Sequence, residues 1–538
     1  MRLPTLTCAA VLAVAAILQS CDKPAPKVEV TALVPGSVMH GVQGLAFDAN
    51  GALYGASFFG QSIYKIDPAS GRVDVAFGTP EGEGDDVAIG PEGTPAAGII
   101  AWTAVSSVHS LRPDGTHQVL VANAPRANPI AFSKDGRLFF SQSGTPDNEL
   151  WEIDPLGAKP ARLVSKGQGR LNGFDFGPDG RLYAPLFGTD QLVAIDITTG
   201  VHTVVAKGVG SPSAVKVDAK GNLIAVDYKL GDVWLVNPAT GETRKLVNRP
   251  AVIDNLAIAG DGTIYLASTA DSKIYALNPD TLDVREVTKG PFNTPMGATS
   301  ITDNGKPKLL IAGPQSYFFY DLTTGQSVRP LYEDGRAGSQ AVAADDSFIY
   351  TVATGRLRKI DRATYAVALE SNAVKTPAAV AVAANGDVFV TDVSTGQILK
   401  WTEAGVAPVA EGLAKPTALI IETPTTALVA ETEAGQVTRV DVTSGARTVV
   451  LKGLDHPQGL ALLKDGRIAV AETAKGVVAA FDAKSGARTE LAKGLPLSAA
   501  GLRVPITVPT GMTTGPDGTL YVVGTADNSL WKISFAAK

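Results

Sequence analysis

Cysteine is almost missing from this chain. It has two, Cys8 and Cys21, both at the extreme N-terminus. No pair of thiols is left to cross-link the remaining residues, so a disulfide scaffold is excluded and any fold must be held by its core. Lys and Arg form no runs and the formal net charge is −6. That argues against a nucleic-acid groove or an anionic membrane surface as the main partner. A sustained helical period is also missing, as are a Gly-x-Ser-x-Gly elbow, a His-Glu-x-x-His helix and a phosphate loop. The five His residues (His40, His109, His117, His202, His456) show no metal-ligand spacing. What remains is a globular composition, 45% hydrophobic and 19% charged, over 538 residues, too long for one ordinary core.

The only long uncharged stretch follows Arg2, "LPTLTCAAVLAVAAILQS", and stops at Cys21. It is short for a membrane span and reads as a secretory signal over residues 1–20. Its end, Leu18-Gln19-Ser20-Cys21, resembles a bacterial lipobox, which makes Cys21 the expected lipidation site; a plain cleaved signal with an incidental Cys is the other reading. Residues 21–26, "CDKPAP", then form a Pro-rich tether. The expected location is the periplasmic side of the bacterial cell envelope, with the membrane touched only through the lipid.

The chain repeats itself. "RANPIAFSKDGRLFF" at 126–140 returns 44 residues later as "RLNGFDFGPDGRLYA". Taking the turn Gly, or its equivalent, as a marker places units at 51, 93, 136, 180, 221, 262, 305, 346, 386, 426, 466 and 518. Ten of the eleven gaps are 40 to 44 residues and the last is 52. Each unit holds four short alternating runs rich in Val, Ile, Leu and aromatics, parted by Asp-Gly, Asn-Gly and Ser-Gly turns. Four antiparallel strands per unit describe a propeller blade, in which radial packing protects the strand edges. The expectation is an all-β fold of two tandem six-bladed β-propellers, with a single twelve-unit array as the alternative. Residues 27–34 are expected to close blade six and "LDVREVTK" (282–289) to close blade twelve. Those closures put the domains at 27–280 and 281–538.

The Asn shared by the two quoted segments lies eight residues before the turn Gly, at the entrance to an innermost strand. Equivalent positions ring the channel mouth. In the first propeller they are Gln43, Asp85, Asn128, Asn172, Ser213 and Asp254. In the second they are Gly297, Gln340, Ala378, Thr417, Gln458 and Thr510, without a carboxylate. Hard cations take several oxygen ligands at flexible distances. The expected anchors for one divalent cation, Ca²⁺ first, are therefore Asn128, Asn172, Asp85 and Asp254, with Gln43 and Ser213 as further ligand-binding positions. No organic cofactor is indicated.

The pattern in "HPQGLALLKDGRIAVAE" and "VPTGMTTGPDGTLYVVG" resembles NHL repeats. The pair at 126–140 and 170–184 resembles the senescence-marker-protein/gluconolactonase family of six-bladed propellers. That second resemblance implies two Asn metal ligands, at Asn128 and Asn172, and a metal-dependent lactone or ester hydrolase. The family's Glu of blade one is Gln43 here, and its Asp of blade five, a ligand and catalytic base, is Ser213. Two function classes stay open: a binding protein for a small ligand, peptide or protein on its propeller faces, and a metal-dependent lactonase at the first mouth. Other candidates are the acids Asp392, Glu431 and Glu472, in line or capping turns, and His40 and His456, which precede innermost strands. Trp151, Trp234, Trp401 and Trp531 are expected to pack between blades.

Overall fold

The computed structural model describes residues 28–249, 252–290, 292–328, 338–504 and 508–535. Cys8 and Cys21 lie outside them. The alternating runs become strands and the marker glycines become turns: Gly51, Gly136 and Gly466 take φ of 81°, 84° and 84°, a left-handed conformation that suits glycine. Among the described residues the strands assemble into twelve four-stranded antiparallel sheets, each a blade.

Two closed rings result. The innermost strand of blade one, Leu45–Phe47, packs against that of blade two, Asp86–Ile89, and so on round to Ile253–Ile258 of blade six, which returns to blade one. Likewise Ala298–Asp303 of blade seven meets Met512–Thr514 of blade twelve. The cores lie between blades. Met39, Val42, Leu45 and Tyr64 pack on Ala257, Tyr265 and Ile274 to seal the first ring. Phe292, Leu309 and Phe318 pack on Tyr521, Val523 and Leu530 to seal the second. Trp151, Trp234, Trp401 and Trp531 all sit on third strands and join the inter-blade clusters.

The expected strand closure is corrected. Val28–Val34 pairs antiparallel with Ser529–Phe535, so the N-terminal strand completes blade twelve and not blade six. Blade six takes its fourth strand, Val284–Glu286, from the hairpin that follows Lys273–Leu277. A local hairpin closes a far shorter loop than an exchange across the chain, and Asn278 fixes its turn by accepting the Asp280 and Thr281 N–H groups. The last unit does lack an outermost strand of its own, and the chain's first strand supplies it. Residues 28–34 therefore belong with the second ring, and the first is built wholly from blades 45–286.

Candidate functional site

A shared local device brings the mouth residues to the channel. In blades three, five and six the register shifts between Ala127 and Ile130, Pro212 and Ala214, and Ile253 and Asn255. Each bulge contains the mouth residue: Asn128, Ser213 and Asp254. The extra residue re-aims the side chain and resets the alternation beyond it.

The six positions then behave differently. Asn128 donates its amide N–H to Asp85 Oδ2 at 2.7 Å, joining blades two and three. The Gln43 amide oxygen accepts the Phe58 N–H at 3.0 Å. Ser213, fully buried, donates to the Ile253 carbonyl at 3.0 Å. Gln43 and Ser213 thus spend polar atoms on the backbone. Asn172 and Asp254 are half-buried, with side chains that make no hydrogen bond among the described residues. The oxygens open to a ligand are those of Asp85, Asp254, Asn128 and Asn172. Their chemistry fits a cation, although no three His, Cys, Asp or Glu groups converge as a metal cluster among the described residues.

Three channel residues were not anticipated from the spacing. Asp86, buried beside Asp85, accepts Asn255 Nδ2 at 3.0 Å and the Ile130 N–H at 3.2 Å, tying blades six and three to blade two. It spans the space in front of blade one because position 44 is glycine; a Cβ there would come within 2.4 Å of Asp86 Oδ1. One layer deeper lie Asp175 and Lys216. The equivalent positions, three residues beyond the mouth residue, are Ala46, Ala88, Ala131 and Ala257 in the other blades. These small side chains leave a cavity of about 230 Å³ lined by all six. Lys216 donates to the Phe174 carbonyl at 3.2 Å, and its charge acts on both Asp86 and Asp175. Two signals could have found this layer: the doubled acid Asp85-Asp86, and a Lys where four sister blades have Ala.

Burial dominates the electrostatics. Asp85 is held well above the usual carboxylate range, first by burial and then by the negative charges of Asp254, Asp86 and Glu83. Asp254 is pushed up to about 7 by burial and by Asp86. Asp86 sits at about 6, because burial outweighs the pull of Lys216 and of the Ile130 and Val87 N–H groups. Burial likewise raises Asp175. Among the described residues four carboxyl groups crowd this channel around the Lys216 ammonium, and Asp85 and Asp254 relieve part of their repulsion by holding protons near neutral pH.

Among the described residues the second channel holds no such cluster. Thr417 shares a hydrogen bond with Thr432, and the amide of Gln340 donates to Thr354 at 3.0 Å. The three acids after second strands are turn caps: Asp392 accepts Ser394 N–H, Glu431 accepts Ala414 N–H and Glu472 accepts Asp455 N–H. His40 does not face a channel either. It is buried between the rings, bonded to Thr294 and to the Ala526 carbonyl, and burial pushes it down to about 4. His456 is exposed and pairs with Asp455.

The fold defines the class: a β-propeller protein of two six-bladed rings. A family model described as outer membrane protein assembly factor BamB is similar over residues 134–371. That match starts within blade three and ends in blade eight, so it follows the repeat across both rings. A solved structure described, provisionally, as a gluconolactonase covers 49% of this chain and 93% of its own at 15% identity, with a TM-score of 0.38. The extracellular domain of a provisionally assigned hybrid two-component system of B. thetaiotaomicron covers 95% of this chain and 83% of its own, at 10% identity and a TM-score of 0.35. No curated protein matches the chain.

Proposed function

We propose that the chain is an exported, lipid-anchored binding protein whose first channel mouth takes a small cationic ligand, either a divalent metal ion or an organic amine. The observation that carries the reading is the crowding of four carboxyl groups, Asp85, Asp86, Asp175 and Asp254, whose mutual repulsion is offset only by Lys216 on Asp86 and Asp175 and by Lys134 on Asp175 among the described residues. Desolvated carboxylates at close range repel one another, and a cation relieves that repulsion directly. Asp85, Asp254, Asn128 and Asn172 would hold it, Asp86 and Lys216 setting the field beneath. Calorimetric titration of Ca²⁺ and of 1,4-diaminobutane separates the two sources. Binding of either that is lost in Asp254→Asn supports the reading; no binding of either overturns it.

A second reading, lactone hydrolysis, is favoured by one observation. A carboxyl group at about 7 beside an open mouth suits proton abstraction from water attacking a carbonyl. Replacement of the family's carboxylates at Gln43 and Ser213 weighs against it. Hydrolysis of a sugar lactone with a pH–rate midpoint near 7, abolished by Asp254→Asn, is the expected result of that reading. Anchoring is tested separately: Cys21→Ser should move the protein from the membrane to the soluble envelope fraction.

A further inference from the structure

The rings meet mouth side to mouth side. Every bonding group named here at their junction comes from a loop at the end where innermost strands begin. Asn528 bridges the rings by donating to the Met39 carbonyl and accepting the Thr294 N–H. Asn293 donates to the Thr269 carbonyl and accepts the Gly41 N–H.

The last repeat gap, longer than the others, provides one more contact. Among its surplus residues, the described stretch 493–504 forms an arm that leaves the second ring and touches the rim of the first mouth. There the Arg503 N–H donates to the Phe59 carbonyl at 2.8 Å. Its guanidinium lies 4.9 Å from the Phe58 ring centre and forms an ion pair with Glu83 Oε2. The other Glu83 oxygen is buried and has no hydrogen-bond partner. Phe58 and Glu83 both belong to the mouth. The Phe58 N–H binds Gln43, and the charge of Glu83 acts on Asp85.

We infer that Arg503 is a tethered counter-cation for the first mouth: it neutralises Glu83 at the rim, an incoming cation competes with it, and binding loosens the arm. The inference rests on the cation reading above. The charge of Glu83 acts on Asp85 and is the one that Arg503 pairs with, so a cation held at Asp85 and Arg503 each weaken the hold of the other, and the coupling is reciprocal. Arg503 stays in place in the free protein because its own backbone and the Phe58 ring pin it there.

The test titrates Ca²⁺ and 1,4-diaminobutane into the full chain, Arg503→Gln, Arg503→Lys and Glu83→Gln, with hydrogen exchange of the Arg503 amide as a second readout. Removing the competitor should tighten binding about fivefold in Arg503→Gln, a typical size for a partly exposed ion pair. Arg503→Lys should stay near the unaltered protein, and Glu83→Gln should bind more weakly. In the unaltered protein the cation should speed exchange at Arg503. Binding equal in Arg503→Gln and the unaltered chain, with exchange at Arg503 insensitive to the cation, overturns the inference alone. Failure of every form to bind overturns the functional reading and the inference with it.

Discussion

The two rings share blade architecture, turn chemistry and inter-blade packing, yet differ in what their innermost strands carry. Both use a bulge to aim the mouth residue, as at Pro377–Val380 and Pro416–Ala418 in the second ring. In the first ring the mouth residues and the positions one and three beyond them include Asp85, Asp86, Asp175, Lys216 and Asp254; in the second no such position holds a charged residue. A propeller thus tolerates a desolvated charge cluster at its axis because the sheets, not the channel, supply stability. The rings also differ in closure: the first uses its own hairpins throughout, whereas the second depends on Val28–Val34, from the opposite end of the chain.

That dependence gives the largest expected effect. Deleting residues 28–34 exposes the edge of Ser529–Phe535 and uncovers Leu530 and Ile533, so the second ring should melt lower by on the order of 10 °C while the first is unmoved. Two separate calorimetric transitions would report this; an unchanged profile would contradict the closure. Next is the charge cluster. Asp85→Asn and Asp254→Asn should each weaken cation binding about 10- to 100-fold, equivalent to about 1.4 to 2.8 kcal/mol, whereas Gln458→Ala should change nothing.

A pH effect follows from the raised carboxyls. Asp86 at about 6 and Asp254 at about 7 bind protons that a cation expels, so affinity should rise about a hundredfold between pH 5.5 and 7.5. The sign for folding is the opposite. The folded state binds these protons more tightly than the unfolded chain, so their stabilisation is complete below pH 4 and is lost as pH climbs through 7. Asp254→Asn should therefore raise the melting temperature at pH 8 and leave it alone at pH 4. The smallest effect belongs to Lys216→Met, which removes the channel's ammonium. Cation affinity should increase a few-fold and the melting temperature fall by a few degrees.

The repeat made the blades readable: a turn Gly at near-constant spacing, flanked by alternating runs, admits few folds. Closure was not readable in the same way, because "VEVTALV" and "LDVREVTK" alternate equally well and only loop length chooses between them. Asp85, Asn128 and Asp254 could be aligned with one another from the sequence because each stands eight residues before the turn Gly of its blade. Asp175 and Lys216 were missed because a bulge resets the period of two, so residues three apart come to share the channel. Asp86 depended on something a single blade does not show, the missing Cβ of Gly44 in the neighbouring blade.

A paired titration at pH 7.5 tests the first-mouth assignment most directly. Cation binding would be measured in the full chain, in an Asp85→Asn/Asp254→Asn variant of the first mouth and in a Gln340→Ala/Gln458→Ala variant of the second. Binding lost only in the first-mouth variant is the predicted result. Binding retained in that variant, or lost only in the second, would contradict the assignment of function to the first ring.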